Sequence, residues 1–146
     1  MTIRNPPTDL QMPNLPFEII QHIMGYAANP QSLRLRRDIE TYILSKRRLY
    51  FIYNQFWTIH MGVQEPEYKY YITNDLISYI NNDYGTKYGF EERFYRILSR
   101  NLRLTSDLDI DVYWNRLQTL SVDTQNNLLL GLLLPEERDD VIKTFP

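Results

Sequence analysis

Between Ser32 and His60 the chain runs for twenty-nine residues without a glycine or a proline, and apolar side chains recur through it at intervals of three and four: Leu35, Ile39, Tyr42, Ile43, Leu49, Ile52, Tyr53, Phe56 and Trp57. Only a helix returns side chains to one face at that spacing. Unbroken, such a helix would measure about 43 Å at 1.5 Å per residue. That is long for a small domain, so a kink near Ser45–Arg47 is an expected way of shortening it. Gly62 and Pro66 close the run.

The flanking segments have the same character. Thr2 to Asn14 carries Pro6, Pro7 and Pro13 and shows no period, which reads as an extended arm. A first helix should open at Leu15–Pro16, with Asn14 or Leu15 at the cap and proline at a first-turn position where its missing N–H loses nothing. Glu18 favours that helix start, Ile19, Ile20, Ile23 and Met24 give it an apolar face, and Asn29–Pro30 ends it. A third helix is expected from about Asn74, capped by Thr73 or Asn74. Tyr, Ile and Thr in Tyr68–Thr73 leave a strand open as the alternative for that stretch. The run from Asn81 to Gly85 is a turn. Helical spacing resumes at Phe90–Arg100. It returns after a cap at Ser106 or Asp107, again after a cap at Asp123 or Thr124 through Leu134, and finally from Pro135.

At 146 residues, one domain with one core is the simplest organisation. The absence of cysteine excludes disulfide scaffolds, thiolate zinc sites and cysteine nucleophiles, and fits a reducing compartment. The net charge of −2 is too near zero for a general nucleic-acid or membrane binder. Charge is nevertheless polarised: residues 1–60 carry +3, residues 61–104 carry 0 and residues 105–146 carry −5. A basic front and an acidic back can steer partners or order head-to-tail contacts. Met1–Leu10 has no apolar run of the secretory kind. The longest strongly apolar stretch, Leu128–Leu134, has seven residues, against about 20 for a membrane span. No membrane span and an intracellular, cytoplasmic setting are expected.

Four constellations could carry function. Arg34, Arg36, Arg37, Lys46, Arg47 and Arg48 place six cations within fifteen residues, interleaved with Tyr42, Tyr50 and Tyr53. Guanidinium on phosphate and tyrosine on bases would make this a nucleic-acid surface. Asp38 and Glu40 lie between the two clusters, however, and the cations diverge around the helix. A solvated face, or an anchor for the acidic C-terminal third, is the preferred reading. Asp107, Asp109 and Asp111 alternate as in a calcium loop, yet Val112 and Gln118 stand where that loop needs glycine and glutamate, so Asp107 as a helix cap with two first-turn acids explains them. His22 and His60 have no companion at metal-ligand spacing, and neither a nucleophile elbow nor a phosphate loop is present. The run Leu128–Leu134 is apolar all round a helix. It is core, or it is a partner surface in which Leu129 and Leu133 join Tyr113 and Trp114.

Residues 12–24 read Met-Pro-Asn-Leu-Pro-Phe-Glu-Ile-Ile-Gln-His-Ile-Met. The Leu15-Pro16-x-Glu18-Ile19 start, followed by Ile23–Met24, resembles the opening of an F-box. The resemblance implies a three-helix module of about forty residues that docks on the Skp-type adaptor of a cullin ubiquitin ligase, with Leu15, Pro16, Ile19, Ile20 and Ile23 as the docking surface. The family's Ser-Lys-x-Trp type ending is degenerate: Arg47, Arg48 and Leu49 follow Ser45–Lys46, and Trp57 comes late. Twelve Tyr, fourteen Ile and eleven Asn against two Ala resemble the usage of short F-box-like proteins of large nucleocytoplasmic DNA viruses. A viral setting would make a virion component, such as a minor capsid or cement protein, the rival reading.

The expectation is therefore an all-α fold of six or seven helices. An arm over 1–14 precedes a single helical domain over 15–146, comprising F-box-like helices over 15–60 and a C-terminal part over 61–146. Its function is non-catalytic protein binding without a cofactor. A Skp-type adaptor or capsid and assembly subunits are the expected partners, and nucleic acid ranks last.

Overall fold

A computed structural model of the chain describes residues 16–28, 32–101 and 103–146. The described residues are all-α, with seven α-helices and no strand. They are α1 (Phe17–Ala28), α2 (Leu33–Tyr53), α3 (Tyr68–Ile80), α4 (Glu92–Leu98), α5 (Asp107–Leu117), α6 (Val122–Leu132) and α7 (Pro135–Thr144). A π-helical segment, Asn54–His60, continues α2, and a single 3₁₀ turn, Thr86–Tyr88, lies before α4. By contacts the chain forms two units, residues 1–33 and 34–146.

In the first unit, α1 starts one residue later than expected. Pro16 stands at the cap, where its carbonyl accepts from the Ile19 and Ile20 amides at 3.0 and 3.1 Å. Asn14, Leu15 and the Asn29–Pro30 stop lie outside the described residues.

In the second unit, α2 to α7 share one core. Leu49 and Tyr53 of α2 meet Ile72, Leu76 and Ile80 of α3, which repeat at i, i+4 and i+8. Phe94, Ile97 and Leu98 come from α4, Ile110, Trp114 and Leu117 from α5, Leu129, Leu130 and Leu133 from α6 and its exit, and Val141 and Ile142 from α7. Each fully buried side chain of this kind stabilises the fold by roughly 1.5–3 kcal/mol against exposure. Aromatic geometry sharpens the packing. Phe90 stacks on Phe94 with centroids 4.2 Å apart, and Phe94 meets Trp114 edge to face at 5.1 Å.

Further boundaries differ from expectation in this unit, and α4 is confined to Glu92–Leu98 within the expected Phe90–Arg100. Helix α3 begins at Tyr68, not near Asn74, and the strand alternative for Tyr68–Thr73 is excluded. The Lys69 amide donates to the Pro66 carbonyl and the Tyr70 amide to that of Glu67. Tyr71 is then placed to stack on Trp57 at 4.1 Å and Ile72 is buried, so packing overrides strand propensity. Helix α6 is capped by Ser121, whose hydroxyl accepts from the Thr124 amide, not by Asp123 or Thr124, and it ends at Leu132. Helix α2 passes Ser45–Arg47 without a change of winding; the widening to π geometry comes at Asn54 instead. Of the two caps expected for α5, Ser106 forms it and Asp107 is instead the first helical residue: the Ser106 hydroxyl accepts from the Asp109 amide, while the Asp109 carboxylate accepts from the amide and hydroxyl of Thr105. No described helix is long and apolar enough to cross a membrane.

Candidate interaction surfaces

The motif helix α1 carries a single charged residue, Glu18 in its first turn. Pro16, Phe17, Ile19 and Ile20 are all exposed, Phe17 by 68%. Leu15 and the Ile23 side chain lie outside the described residues, as does the His22 side chain. Exposed apolar groups next to a dipole-compatible acid give a helix start that can insert into a groove. Over 16–60 the described helices are α1 and the α2–π rod, two where the F-box resemblance implies three.

The second surface is on α2. Arg34, Arg36, Arg37, Arg47 and Arg48 are exposed and Lys46 is half-buried. The ion pairs among the described residues are Lys69–Asp123, Arg100–Glu137 and Arg138–Asp38, so none of these six cations is held by a carboxylate. The expected anchoring of the acidic C-terminal third by these cations is therefore absent among the described residues. The contact that does form has the opposite polarity: Arg138 of α7 reaches Asp38 of α2 at 2.7 Å. Tyr42, Ile43, Lys46, Arg47 and Tyr50 line a shallow recess of about 350 Å³. Lys46 Nζ lies 5.5 Å from the Tyr50 ring centre, in cation–π range.

The tyrosine hydroxyls beside the recess are committed inward. Tyr42 donates to the Asn127 carbonyl at 3.3 Å, and Tyr50 to Asp123 at 3.4 Å. Asn126, fully buried, donates to Tyr50 Oη and to the Lys69 carbonyl, and accepts from the Thr73 hydroxyl at 2.6 Å. This network joins α2, α3 and α6. Burial, with the acceptor Asp123 adding to it, pushes the Tyr50 hydroxyl up to about 12. Deeper in, Tyr53 donates to Asp75 at 2.6 Å, and burial raises both groups above their ordinary values.

The third expected surface is overturned. Trp114, Leu129 and Leu133 are buried core residues, and Tyr113 is half-buried against that core. The Leu128–Leu134 run is not one continuous greasy cylinder. The helix stops at Leu132, Leu133 turns into extended backbone and inward, and Leu128 and Leu134 reach the surface. Helix α6 packs chiefly on α3, while α7 adds Val141 and Ile142 to the shared core and its buried Arg138 closes the end of α6. On α5 the exposed apolar residues are instead Leu108 and Val112, 72% and 62% accessible, and the neighbouring Asp107 is exposed as well.

Sequence reasoning also missed three buried polar residues. Arg138 donates from Nε to the carbonyls of Leu130 and Leu133, both at 3.1 Å, closing the C-terminal end of α6. Asn81 donates to the Tyr84 and Gly89 carbonyls and accepts from the Glu91 amide, which fixes the turn where Asn82 and Asp83 adopt positive φ. The third is Asn126. In the π segment, Asn54 Oδ1, Trp57 Nε1 and Thr58 Oγ1 are buried and meet no hydrogen-bond partner among the described residues. Among the described residues no three His, Asp or Glu side chains converge as a metal would require. No family model matches the chain, and no curated protein or solved structure is significantly similar to it.

Proposed function

We propose that the chain is a non-catalytic protein–protein interaction module that docks through α1 on a Skp-type adaptor, in the manner of an F-box, while residues 34–146 form the body that meets a target. The observation that carries this reading is the Pro16-x-Glu18-Ile19 helix start with Phe17, Ile19 and Ile20 exposed. Such a face suits a hydrophobic groove, with the proline setting the entry angle and Glu18 the helix polarity. Pull-down of the full chain with a Skp-type adaptor tests it. Binding lost on Ile19→Asp with the helical circular dichroism unchanged is the expected result. No binding, or binding indifferent to Ile19→Asp, ends the reading.

A second reading, a structural component of a large assembly such as a viral minor capsid or cement protein, is favoured by the unpaired cations of α2 and the acidic excess of residues 105–146. Complementary surfaces of one chain are what repeating contacts need. Presence or absence in purified particles decides it. Nucleic-acid binding through Arg34–Arg48 ranks third, because Asp38 and Glu40 interrupt the cations.

A further inference from the structure

The recess on α2 and the outer face of α5 are complementary in chemistry and in length. The recess has an apolar floor, from Ile43 and the rings of Tyr42 and Tyr50, with Lys46 and Arg47 at its edge. The tyrosine hydroxyls are spent on Asn127 and Asp123, so the rings offer mainly apolar surface. On α5, Leu108 and Val112 stand out at i and i+4, with exposed Asp107 and half-buried Asp111, which accepts from the Tyr95 hydroxyl at 3.4 Å, one step around the helix on one flank. Asp107 heads that flank, exposed and outside any ion pair among the described residues. Ile43 to Arg47 and Leu108 to Val112 each advance about 6 Å along their helices, so the recess and the ridge match in length.

We propose that the α5 ridge of one copy of this chain, Leu108 and Val112 flanked by Asp107 and Asp111, seats in the Tyr42–Ile43–Lys46–Arg47–Tyr50 recess of a second copy, joining copies head to tail. A second copy is favoured over nucleic acid because the complementary charge is in the chain itself: residues 1–60 carry +3 and residues 105–146 carry −5. The occupant must also bring apolar surface to Ile43, which a phosphate backbone does not. The two halves of the contact are different surfaces, so the interface is heterologous and each copy keeps one free half for the next. Desolvated Leu108 and Val112 supply affinity, and the charges set orientation and encounter rate. The contact uses no part of α1 and stands independently of adaptor docking.

Sedimentation velocity of the full chain tests this from about 1 μM to about 1 mM, the range of a small polar interface. Average mass should rise with concentration and fall as salt is added. Lys46→Glu with Arg47→Glu, and separately Leu108→Lys with Val112→Lys, should each raise the dissociation constant at least about tenfold, a loss of about 1.4 kcal/mol. Mixing the two variants should restore association, because each keeps the half the other lacks. Ile19→Asp should leave association unchanged, so this inference and adaptor docking fail separately. The milder Arg47→Ala and Val112→Ser serve if a charge reversal perturbs the helical circular dichroism. A monomer at every concentration, a variant that associates like the unaltered chain, or a mixture that stays monomeric overturns the proposal. So does a monomer that binds a short oligonucleotide through Lys46 and Arg47.

Discussion

Replacing Arg138 by methionine should be among the most damaging single changes in the body of the protein. The guanidinium is 2% exposed. It donates from Nε to the Leu130 and Leu133 carbonyls and from Nη2 to Asp38, and it lies 5.3 Å from the Tyr42 ring centre. Methionine keeps much of the volume but none of the donors. The Leu130 carbonyl retains the Leu133 amide as a partner at 3.2 Å, so the larger loss falls on the Leu133 carbonyl. An orphaned buried acceptor costs about 1–3 kcal/mol, and a charge-assisted bond contributes about 1.5–3 kcal/mol. Asp38 is 46% exposed, so its share is discounted for solvent to less than about 1 kcal/mol. Arg138→Met should therefore destabilise by about 3–4 kcal/mol, and Asp38→Asn by less than about 1 kcal/mol. Urea unfolding followed by circular dichroism measures both, and an unchanged m-value would assign the loss to the native state. Equal losses for the two variants, or a loss below about 1 kcal/mol for Arg138→Met, would refute the assignment of its role to closing α6.

Other outcomes follow from the same contacts. Asn126→Ala removes the buried side chain that joins Tyr50, Lys69 and Thr73; because the Thr73 hydroxyl keeps the Lys69 carbonyl as its acceptor at 3.1 Å, the change should cost about 1–3 kcal/mol in the same urea experiment. Hydrogen bonds from Arg100 are the main cause holding Glu137 below its ordinary 4.5. Its stabilising contribution is thus complete above pH 4.5 and lost as pH falls below it; thermal unfolding of Glu137→Gln should show a shallower acid decline than the unaltered chain. Tyr50, raised to about 12, contributes stability that is intact below pH 10 and lost as pH rises through 12. Tyr50→Phe should flatten the alkaline limb of unfolding and remove one late-ionising phenol from the ultraviolet titration.

The helices were legible where polarity and period agree. The helical winding of α2 and a cap at one of Ser106 or Asp107 follow from spacing alone, because both are local, but the α2 stripe did not mark burial: Leu35, Ile39, Ile43 and Phe56 are exposed. The start of α3 was not legible. Tyr68–Thr73 has strand-forming residues, and its helicity depends on a distant partner, the Trp57 ring beneath Tyr71. The partner patch at Trp114, Leu129 and Leu133 failed for a similar reason. A leucine run does not reveal what covers it; α3 packs on it, and α7, whose Glu-Arg-Asp-Asp sequence reads as a solvated face, closes its end through Arg138. The exposure of five of the six α2 cations was legible because charged side chains are seldom buried unpaired, whereas that of Ile19 and Ile20 was not, since an apolar stripe reads equally as core. Leu108 and Val112 passed unnoticed among aspartates that were already explained as caps.

Buried polar groups decide how this bundle presents its surfaces. Apolar stripes attract without direction, so they would tolerate α2 turned about its own axis. Three polar latches remove that freedom: Asp38 to Arg138, Tyr42 to Asn127, and Tyr50 to Asp123 and Asn126. They space along α2 by four and then eight residues and so tie one face of the helix to α6 and α7. With that face held inward, Lys46 and Arg47 are kept at the mouth of the recess and Leu44 and Phe51 remain exposed. The polar interior therefore fixes the register of the outer face, and loosening any latch should weaken whatever binds there as well as the fold itself.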